Sequence, residues 1–172
     1  EQTQNLIGSK EKLKKGLMQK LLTGRVRVPE FGKGLNHGTH RKTLNEKGGM
    51  PEGWEEKRLG DVSVIQGEYG INASAVSYSE KLPTYLRITD IDAEGNFISE
   101  TKKSVKNRES SKYYLKEGDI VFARTGATVG KTYLYNTNDG ELVFAGFLIR
   151  FRLDKKKSVP YYIKLYTQTK QY

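Results

Sequence analysis

The residues most able to do chemistry lie between Arg124 and Thr132, which read Arg-Thr-Gly-Ala-Thr-Val-Gly-Lys-Thr. A glycine-rich turn that ends in Gly-Lys-Thr can hold phosphates through its backbone N–H groups and the lysine. That motif requires four residues between its glycines and a helix after the Lys-Thr pair. Here three residues separate Gly126 from Gly130, and the residues from Tyr133 onward have the pattern of a strand. The spacing therefore argues against nucleotide hydrolysis.

The same segment predicts a β-hairpin, with a strand, a tight turn that carries Arg124 and Thr125, and a returning strand with Lys131. The tip of such a hairpin can enter a groove of DNA. An arginine there can form two hydrogen bonds with O6 and N7 of guanine. A glycine-bearing turn without a binding role is the alternative interpretation.

Other possible catalytic and metal sites have weak support. His37 and His40 lie in a glycine-rich stretch without a thiolate or a clear set of acidic ligands nearby. The run Glu55-Glu56-Lys57 resembles the end of a nuclease motif, but its place at a domain edge favours a solvated charge run. With no cysteine and two histidines, a nucleophile–histidine site has little support. We predict a chain without catalytic activity and without a metal.

Length and composition restrict the class of protein further. The chain has 172 residues, a net charge of +10 and no cysteine, which predicts one domain with an appendage in a reducing compartment, the cytoplasm. The longest apolar run, 142–149, is far shorter than the ~18 residues of a membrane helix. The basic charge favours a polyanionic partner rather than a membrane, with a merely soluble basic surface as the alternative.

The charge and the aromatic residues divide the chain into three parts. Residues 1–50 hold 11 Lys and Arg against 4 Asp and Glu, whereas residues 51–172 hold 19 against 16 and contain all 11 Tyr. Residues 24–50 are rich in glycine and lack apolar periodicity, which is typical of a linker. We predict a helix over 1–23, a linker over 24–50 and a globular domain over 51–172.

The first part predicts an amphipathic helix that ends at Thr23 and Gly24, where glycine suits a left-handed cap. Its apolar residues recur at helical spacing between lysines. A single helix of this length cannot bury such a stripe alone, so we expect it to pack on another helix in an antiparallel coiled coil. Packing against its own domain is the alternative. The residues expected to contact a partner helix are Leu6, Leu13, Leu17 and Leu21.

The last part predicts a β-rich domain with flanking helices, an α+β fold. Strand-like runs cover 62–66, 84–91, 119–124, 129–135 and 142–152, and turn residues separate them. Ser158 and Pro160 then open a helix that is expected to continue to the end of the chain.

Several segments of this domain favour nucleic-acid binding. Over 84–91 the residues alternate, so Leu86 and Ile88 are expected in the core and the side chains between them on a polar face. A basic stretch over 102–112 suits phosphate contacts, with a solvated loop as the alternative. The candidate DNA-contacting residues are Tyr69, Asn72, Tyr85, Arg87, Thr89, Lys102, Lys103, Lys106, Arg108, Lys112, Arg124, Thr125, Gly126 and Lys131.

The sequence resembles the specificity subunits of Type I restriction-modification systems. Residues 13–29 closely resemble the end of the conserved helix of these subunits. The segments that resemble their target-recognition domain are Gly53-Trp54, 57–62, 85–91 and 118–126. In that family, two recognition domains each read one half of a bipartite DNA site, and two long helices form an antiparallel coiled coil between them.

The resemblance implies that this chain is the end of one conserved helix plus one recognition domain, incomplete at its C-terminus. The implied partners are double-stranded DNA, methyltransferase subunits and restriction subunits. Catalysis would belong to these subunits, which use S-adenosylmethionine, ATP and Mg²⁺, whereas this chain would hold no cofactor. The alternative is a non-catalytic scaffold that docks a partner through its leucine-striped helix.

Overall fold

The computed structural model describes residues 1–26, 28 and 54–172. They divide into two compact units, one comprising residues 1–56 and 168–172 and the other comprising residues 57–167. His37, His40 and most of the predicted linker over 24–50 lie outside the described residues.

The first unit contains helix α1, Gln2–Leu21, at the position predicted from the leucine spacing. After the helix, Gly24 adopts a left-handed conformation with φ of 71°, as its position predicted. The N–H of Val26 donates to the carbonyl of Lys20 at 3.1 Å and closes the helix end. No residue of α1 is buried, and the four stripe leucines are between 37% and 58% exposed.

The second unit is built on two four-stranded sheets. Sheet 1 is antiparallel and has the strand order β1-β8-β5-β6, whereas sheet 2 has the order β2-β4-β3-β7 with β3 and β7 parallel. The strands are β1 Ser63–Tyr69, β2 Ala75–Val76, β3 Thr84–Leu86, β4 Lys103–Val105, β5 Asp119–Ala123, β6 Thr132–Leu134, β7 Leu142–Phe144 and β8 Leu148–Leu153. This α+β architecture confirms the predicted fold class.

The core follows from strands that are buried on both faces. Every residue of β7 is buried: Leu142 and Phe144 belong to one apolar cluster, and Val143 between them belongs to a second. Successive side chains of a strand point to opposite faces, so this short strand joins the two clusters. The first cluster also contains Val121 and Ala123 of β5.

The apolar run 142–152, predicted as one strand, is divided between the two sheets. Phe144 ends β7 in sheet 2, and Leu148 begins β8 in sheet 1. Between them, the N–H of Gly146 donates to the carbonyl of Ile71 at 2.7 Å. A glycine inside an apolar run can mark such a break, because glycine allows another backbone to come close.

The C-terminal helix, α2, is shorter than predicted. It covers Pro160–Tyr166, with Val159 as its N-cap, and does not continue to residue 172. The hydroxyls of Thr167 and Thr132 share a hydrogen bond of 2.7 Å, which ties the helix end to β6. This bond and the turns that follow replace the predicted last helical turns.

Gly70 follows β1 and lies against the backbone at the end of β7. A Cβ at this position would be 2.5 Å from the carbonyl oxygen of Ala145 and closer still to that of Phe144. Since both obstacles are backbone, we expect Gly70→Ala to lower the free energy of unfolding by about 1–3 kcal/mol, measured by urea denaturation. Gly60→Ala is the control, because its Cβ would meet only the Gln66 side chain, at 3.4 Å. Equal stability of the two variants would contradict this packing.

Candidate nucleic-acid interface

Three connections of the domain leave sheet 1 at the same edge. β1 and β5 end there and β8 begins there, because Tyr69 pairs with Ile149 and Ala123 pairs with Leu148. We call this surface the turn edge and define it by residues 69–74, 124–131 and 145–147. It brings together residues that are far apart in the sequence.

The segment 124–131 is a β-hairpin tip, as its spacing predicted. The N–H of Gly130 donates to the carbonyl of Ala123 at 3.0 Å, and the N–H of Ala123 donates to the carbonyl of Lys131 at 2.8 Å. A short 3₁₀ helix, Gly126–Thr128, forms the tip, and Gly126 has φ of 78°. Thr125 and Gly126 are exposed there.

Arg124 is held in position at the base of this hairpin. Its backbone N–H donates to the carbonyl of Phe147 at 3.1 Å, and its guanidinium carbon lies 4.6 Å from the centroid of the Tyr69 ring. Such a cation–π contact orients the guanidinium without using its in-plane hydrogen-bond donors. Among the described residues, no carboxylate forms an ion pair with Arg124. The side chain is exposed and its donors face no acidic partner.

Asn72 is exposed on the connection 70–74, whose backbone is fixed by its neighbour Ile71. The N–H of Ile71 donates to the carbonyl of Phe144 at 2.8 Å, and its carbonyl accepts from Gly146. Asn72 therefore lies at the turn edge on an anchored backbone.

Lys131, the last residue of the hairpin segment, contacts the segment that carries Thr89. The Lys131 ammonium donates to the carbonyl of Ile91 at 2.6 Å, so one of its three donors holds the hairpin against the segment after β3. Thr89 is exposed in that segment, on the 3₁₀ helix Ile88–Asp90.

Tyr85 does not belong to the exposed set that the alternation over 84–91 predicted. Its side chain is 3% exposed, and its hydroxyl donates to the carbonyls of Ile71 and Ala73 at 2.6 and 3.1 Å. Burial raises the pKa of this hydroxyl. The face expected to be polar is covered because Tyr85 packs in the second apolar cluster, with Ile71 and Val143. Tyr85 supports the 70–74 connection and is not accessible to DNA.

Removing this hydroxyl should affect stability and leave DNA binding nearly unchanged. We expect Tyr85→Phe to lower the free energy of unfolding by about 1–2 kcal/mol, because two carbonyls lose a buried donor. Urea denaturation measures this loss, and the affinity for a preferred duplex is measured in parallel. A strong loss of sequence preference in a stably folded Tyr85→Phe chain would restore Tyr85 as a base contact.

Arg87 is also engaged within the domain. Its Nε and Nη2 atoms donate to the Asp90 carboxylate at 2.8 and 2.5 Å, and Nη2 also donates to the carbonyl of Thr101. The hydrogen bonds to Asp90 raise the pKa of Arg87, and Asp90 is fully buried. The backbone turns into the 3₁₀ helix here because Asp90 also accepts the N–H of Arg87 at 2.9 Å. The predicted strand therefore ends at Leu86, and the Arg87 guanidinium is held within the domain by Asp90.

The basic stretch 102–112 is not part of the turn edge. β4 runs antiparallel to β3, so the chain leaves β4 at the end of sheet 2 opposite to Phe144. Lys106 and Arg108 are exposed beyond that point, and Lys103 is exposed on β4 itself. The other two cations have partners within the domain, since Lys102 lies over the ring of Tyr78 at 3.9 Å and Lys112 pairs with Glu109 at 2.7 Å.

Sequence analysis missed an ion-pair network within sheet 1. Arg150 of β8 is 3% exposed; it pairs with Glu68 of β1 and donates to the carbonyl of Tyr114 at 2.9 Å. Asp119 of β5 is fully buried and accepts two hydrogen bonds from Arg152, at 2.7 and 2.9 Å. The network links three strands of sheet 1. The sequence feature that could have indicated this network is the pair Arg150 and Arg152 within the apolar run 142–152.

Phe147 is a further residue of the turn edge that sequence analysis did not identify. Its side chain is 59% exposed, on the turn that divides the run 142–152. The sequence feature that could have indicated its exposure is Gly146, which marks a turn where the apolar pattern suggested a continuous strand.

Comparison with known proteins decides the family. The model of the Type I restriction modification DNA specificity domain matches residues 51–172. The chain belongs to this family. The specificity domain is a DNA-recognition module of restriction-modification systems and is not their catalytic part, which confirms the resemblance seen in the sequence. In the described part of the chain, neither helix is long and apolar enough to cross a membrane.

No curated protein matches this specificity domain. A search of solved structures matched a chain from work on the structural basis of complex assembly and conformational transition of the type I R-M system. It is 17% identical, with a TM-score of 0.46, and the match covers 69% of the present chain and 30% of the solved one. The present chain thus spans less than a third of the length of that structure.

Proposed function

We propose that this specificity domain reads one half of a bipartite site in double-stranded DNA, and that the turn edge carries the reading residues. The observation that supports this most is the position of Arg124. It is exposed, oriented by the Tyr69 ring at 4.6 Å, and unpaired with any carboxylate of the described residues. An arginine held this way can donate two hydrogen bonds to a guanine in the major groove.

Around Arg124 the turn edge offers further hydrogen-bonding groups. Asn72 is exposed on the connection 70–74, Thr125 is exposed next to Arg124 on the hairpin, and Gly126 leaves room at the hairpin tip. We assign base or groove contacts to these residues and to Tyr69. Since an Asn amide can pair with adenine and a Thr hydroxyl with several base edges, the set can distinguish base pairs.

Phosphate contacts are proposed for Thr89 and for cations near Arg124 or further away. Residues 51–172 carry 19 basic and 16 acidic side chains, so the placement of cations matters more than the net charge. Lys131 ends the hairpin segment and donates to the carbonyl of Ile91, two residues after Thr89, and the exposed stretch further away can reach the backbone of a longer duplex. The proposed phosphate contacts are Thr89, Lys102, Lys103, Lys106, Arg108, Lys112 and Lys131.

The stripe on α1 supports a role in assembly. Leu6, Leu13, Leu17 and Leu21 are all exposed and follow one helical face. We infer that this face packs on a second helix and that the specificity domain directs methyltransferase and restriction subunits to the DNA. S-adenosylmethionine, ATP and Mg²⁺ would be bound by those subunits. A scaffold that only docks a partner through this stripe is the second candidate function.

Selection from random duplex DNA tests the proposal. The purified chain, and the chain together with a cognate methyltransferase subunit, are each used to enrich bound duplexes through several rounds. We expect a short preferred motif to be enriched. The chain should bind duplexes with this motif more tightly than random duplexes, and the ratio of the two affinities should persist as the salt concentration is raised. Binding that falls steeply with salt and enriches no motif under either condition would leave only charge attraction and the scaffold function.

A further inference from the structure

Phe147 is unusual among the phenylalanines of this domain. Of the five that the structure describes, Phe144 is buried and three others are half-buried, whereas Phe147 is 59% exposed. It is not an isolated apolar side chain, because Tyr69 and Val129 of the same turn edge are 54% and 64% exposed. Folding therefore leaves apolar surface in water at the place proposed to meet DNA.

The backbone on both sides of Phe147 is fixed. The N–H of Gly146 donates to Ile71 at 2.7 Å, and the N–H of Leu148 donates to Ala145 at 2.9 Å. The carbonyl of Phe147 itself accepts from Arg124 at 3.1 Å. The phenyl ring therefore extends from an anchored turn, and the backbones of Phe147 and Arg124 are direct neighbours.

The position of Phe147 next to Arg124 determines which chemical group its ring can contact. In the major groove, where Arg124 is proposed to bind guanine, the apolar group on a base edge is the C5-methyl of thymine. Building on the proposed function, we propose that Phe147 contacts a thymine methyl within the same short motif as that guanine, so that the domain selects thymine through apolar contact.

Deoxyuridine provides the test, because it pairs like thymine but lacks the methyl group. Each thymine of the motif enriched by the wild-type chain is replaced singly, and the dissociation constant is measured by fluorescence anisotropy. We expect one replacement to weaken wild-type binding about fourfold, the factor for losing contact with one methyl group. Phe147→Ala should bind the thymine duplex about tenfold more weakly and should not distinguish it from the deoxyuridine duplex.

Two variants serve as controls. Phe147→Leu keeps an apolar side chain and should retain part of the discrimination. Tyr161→Ala removes an aromatic side chain of matching exposure, 60%, from α2 and should bind both duplexes like the wild type. Circular dichroism checks that each variant is folded.

Several results would overturn the inference. One is a motif without thymine, or one in which no thymine is sensitive to deoxyuridine. Another is a Phe147→Ala chain that still distinguishes the thymine duplex from the deoxyuridine duplex. A third is a Phe147→Ala chain that binds both duplexes more weakly by the same factor, while wild-type binding is also insensitive to the methyl group. Insertion of the ring between base pairs would cause this third result. These results overturn the methyl contact alone. A wild-type chain that enriches no motif overturns the proposed function and this inference together.

Discussion

Asp119→Asn is expected to lower the free energy of unfolding of this domain by about 3–5 kcal/mol. The Asp119 carboxylate is fully buried and accepts from Arg152 at 2.7 and 2.9 Å and from the backbone N–H of Lys116 at 2.8 Å. Arg150 lies 3.6 Å away and is itself almost fully buried. The amide keeps the shape but removes the negative charge, so the half-buried Arg152 loses its counter-ion and the buried Arg150 loses one of two.

The measurement is urea denaturation followed by far-ultraviolet circular dichroism. Asp61→Asn is the control, because Asp61 is exposed on the same unit, and its substitution should change the free energy by at most ~0.5 kcal/mol. A loss below about 1 kcal/mol for Asp119→Asn would show that the ion pairs do not hold sheet 1 together, and apolar packing would then have to explain its stability.

Arg124→Ala is expected to weaken binding to the preferred half-site by about 1–3 kcal/mol, roughly 5- to 150-fold, and to relax the preference at one base pair. The reason is the loss of both hydrogen bonds to one guanine. Binding is measured by fluorescence anisotropy on the preferred duplex and on duplexes changed at each position in turn. Arg124→Lys keeps the charge but not the planar fork of donors, and it should lose most of the same discrimination.

Lys106→Ala is the matched control for Arg124→Ala, since it removes one exposed cation distant from the turn edge. It should weaken binding to all duplexes by a similar factor. It should also reduce the slope of log affinity against log salt concentration by about one. If the Arg124 and Lys106 variants both bind every duplex more weakly by the same factor, Arg124 contacts a phosphate and does not read a base.

The helix and the hairpin could be predicted because each depends on local spacing. The leucines of α1 repeat at helical intervals, and Gly126 and Gly130 flank a tip between two alternating strands. Arg124 could be identified as exposed because it lies where an apolar strand ends. Its contact with Tyr69 could not be predicted, since that contact depends on the pairing of β1 with β8, far along the chain.

The differences between the predicted and the observed surroundings of three residues share a physical cause. Tyr85 alternates like a residue on an exposed face, but residues distant in the sequence, such as Ile71 and Val143, form a buried cluster around it. Arg87 is adjacent to a polar segment, yet the buried Asp90 engages its guanidinium. Phe147 was hidden within an apolar run that tertiary packing divides at Gly146.

The net charge of +10 was the weaker guide to function. Residues 1–50 carry a surplus of seven positive charges, and the family domain over 51–172 carries the remaining three. The case for DNA reading therefore depends on the family and on the geometry around Arg124.

Chemical-shift mapping by nuclear magnetic resonance tests the central claim most directly. The ¹⁵N-labelled chain is titrated with the duplex enriched by selection and, separately, with a scrambled duplex of equal length and composition. We expect the amides of residues 69–72, 124–128 and 146–147 to shift more with the enriched duplex, whereas those of 102–112 should shift equally with both. Shifts confined to 102–112, or identical maps for the two duplexes, would contradict sequence reading by the turn edge.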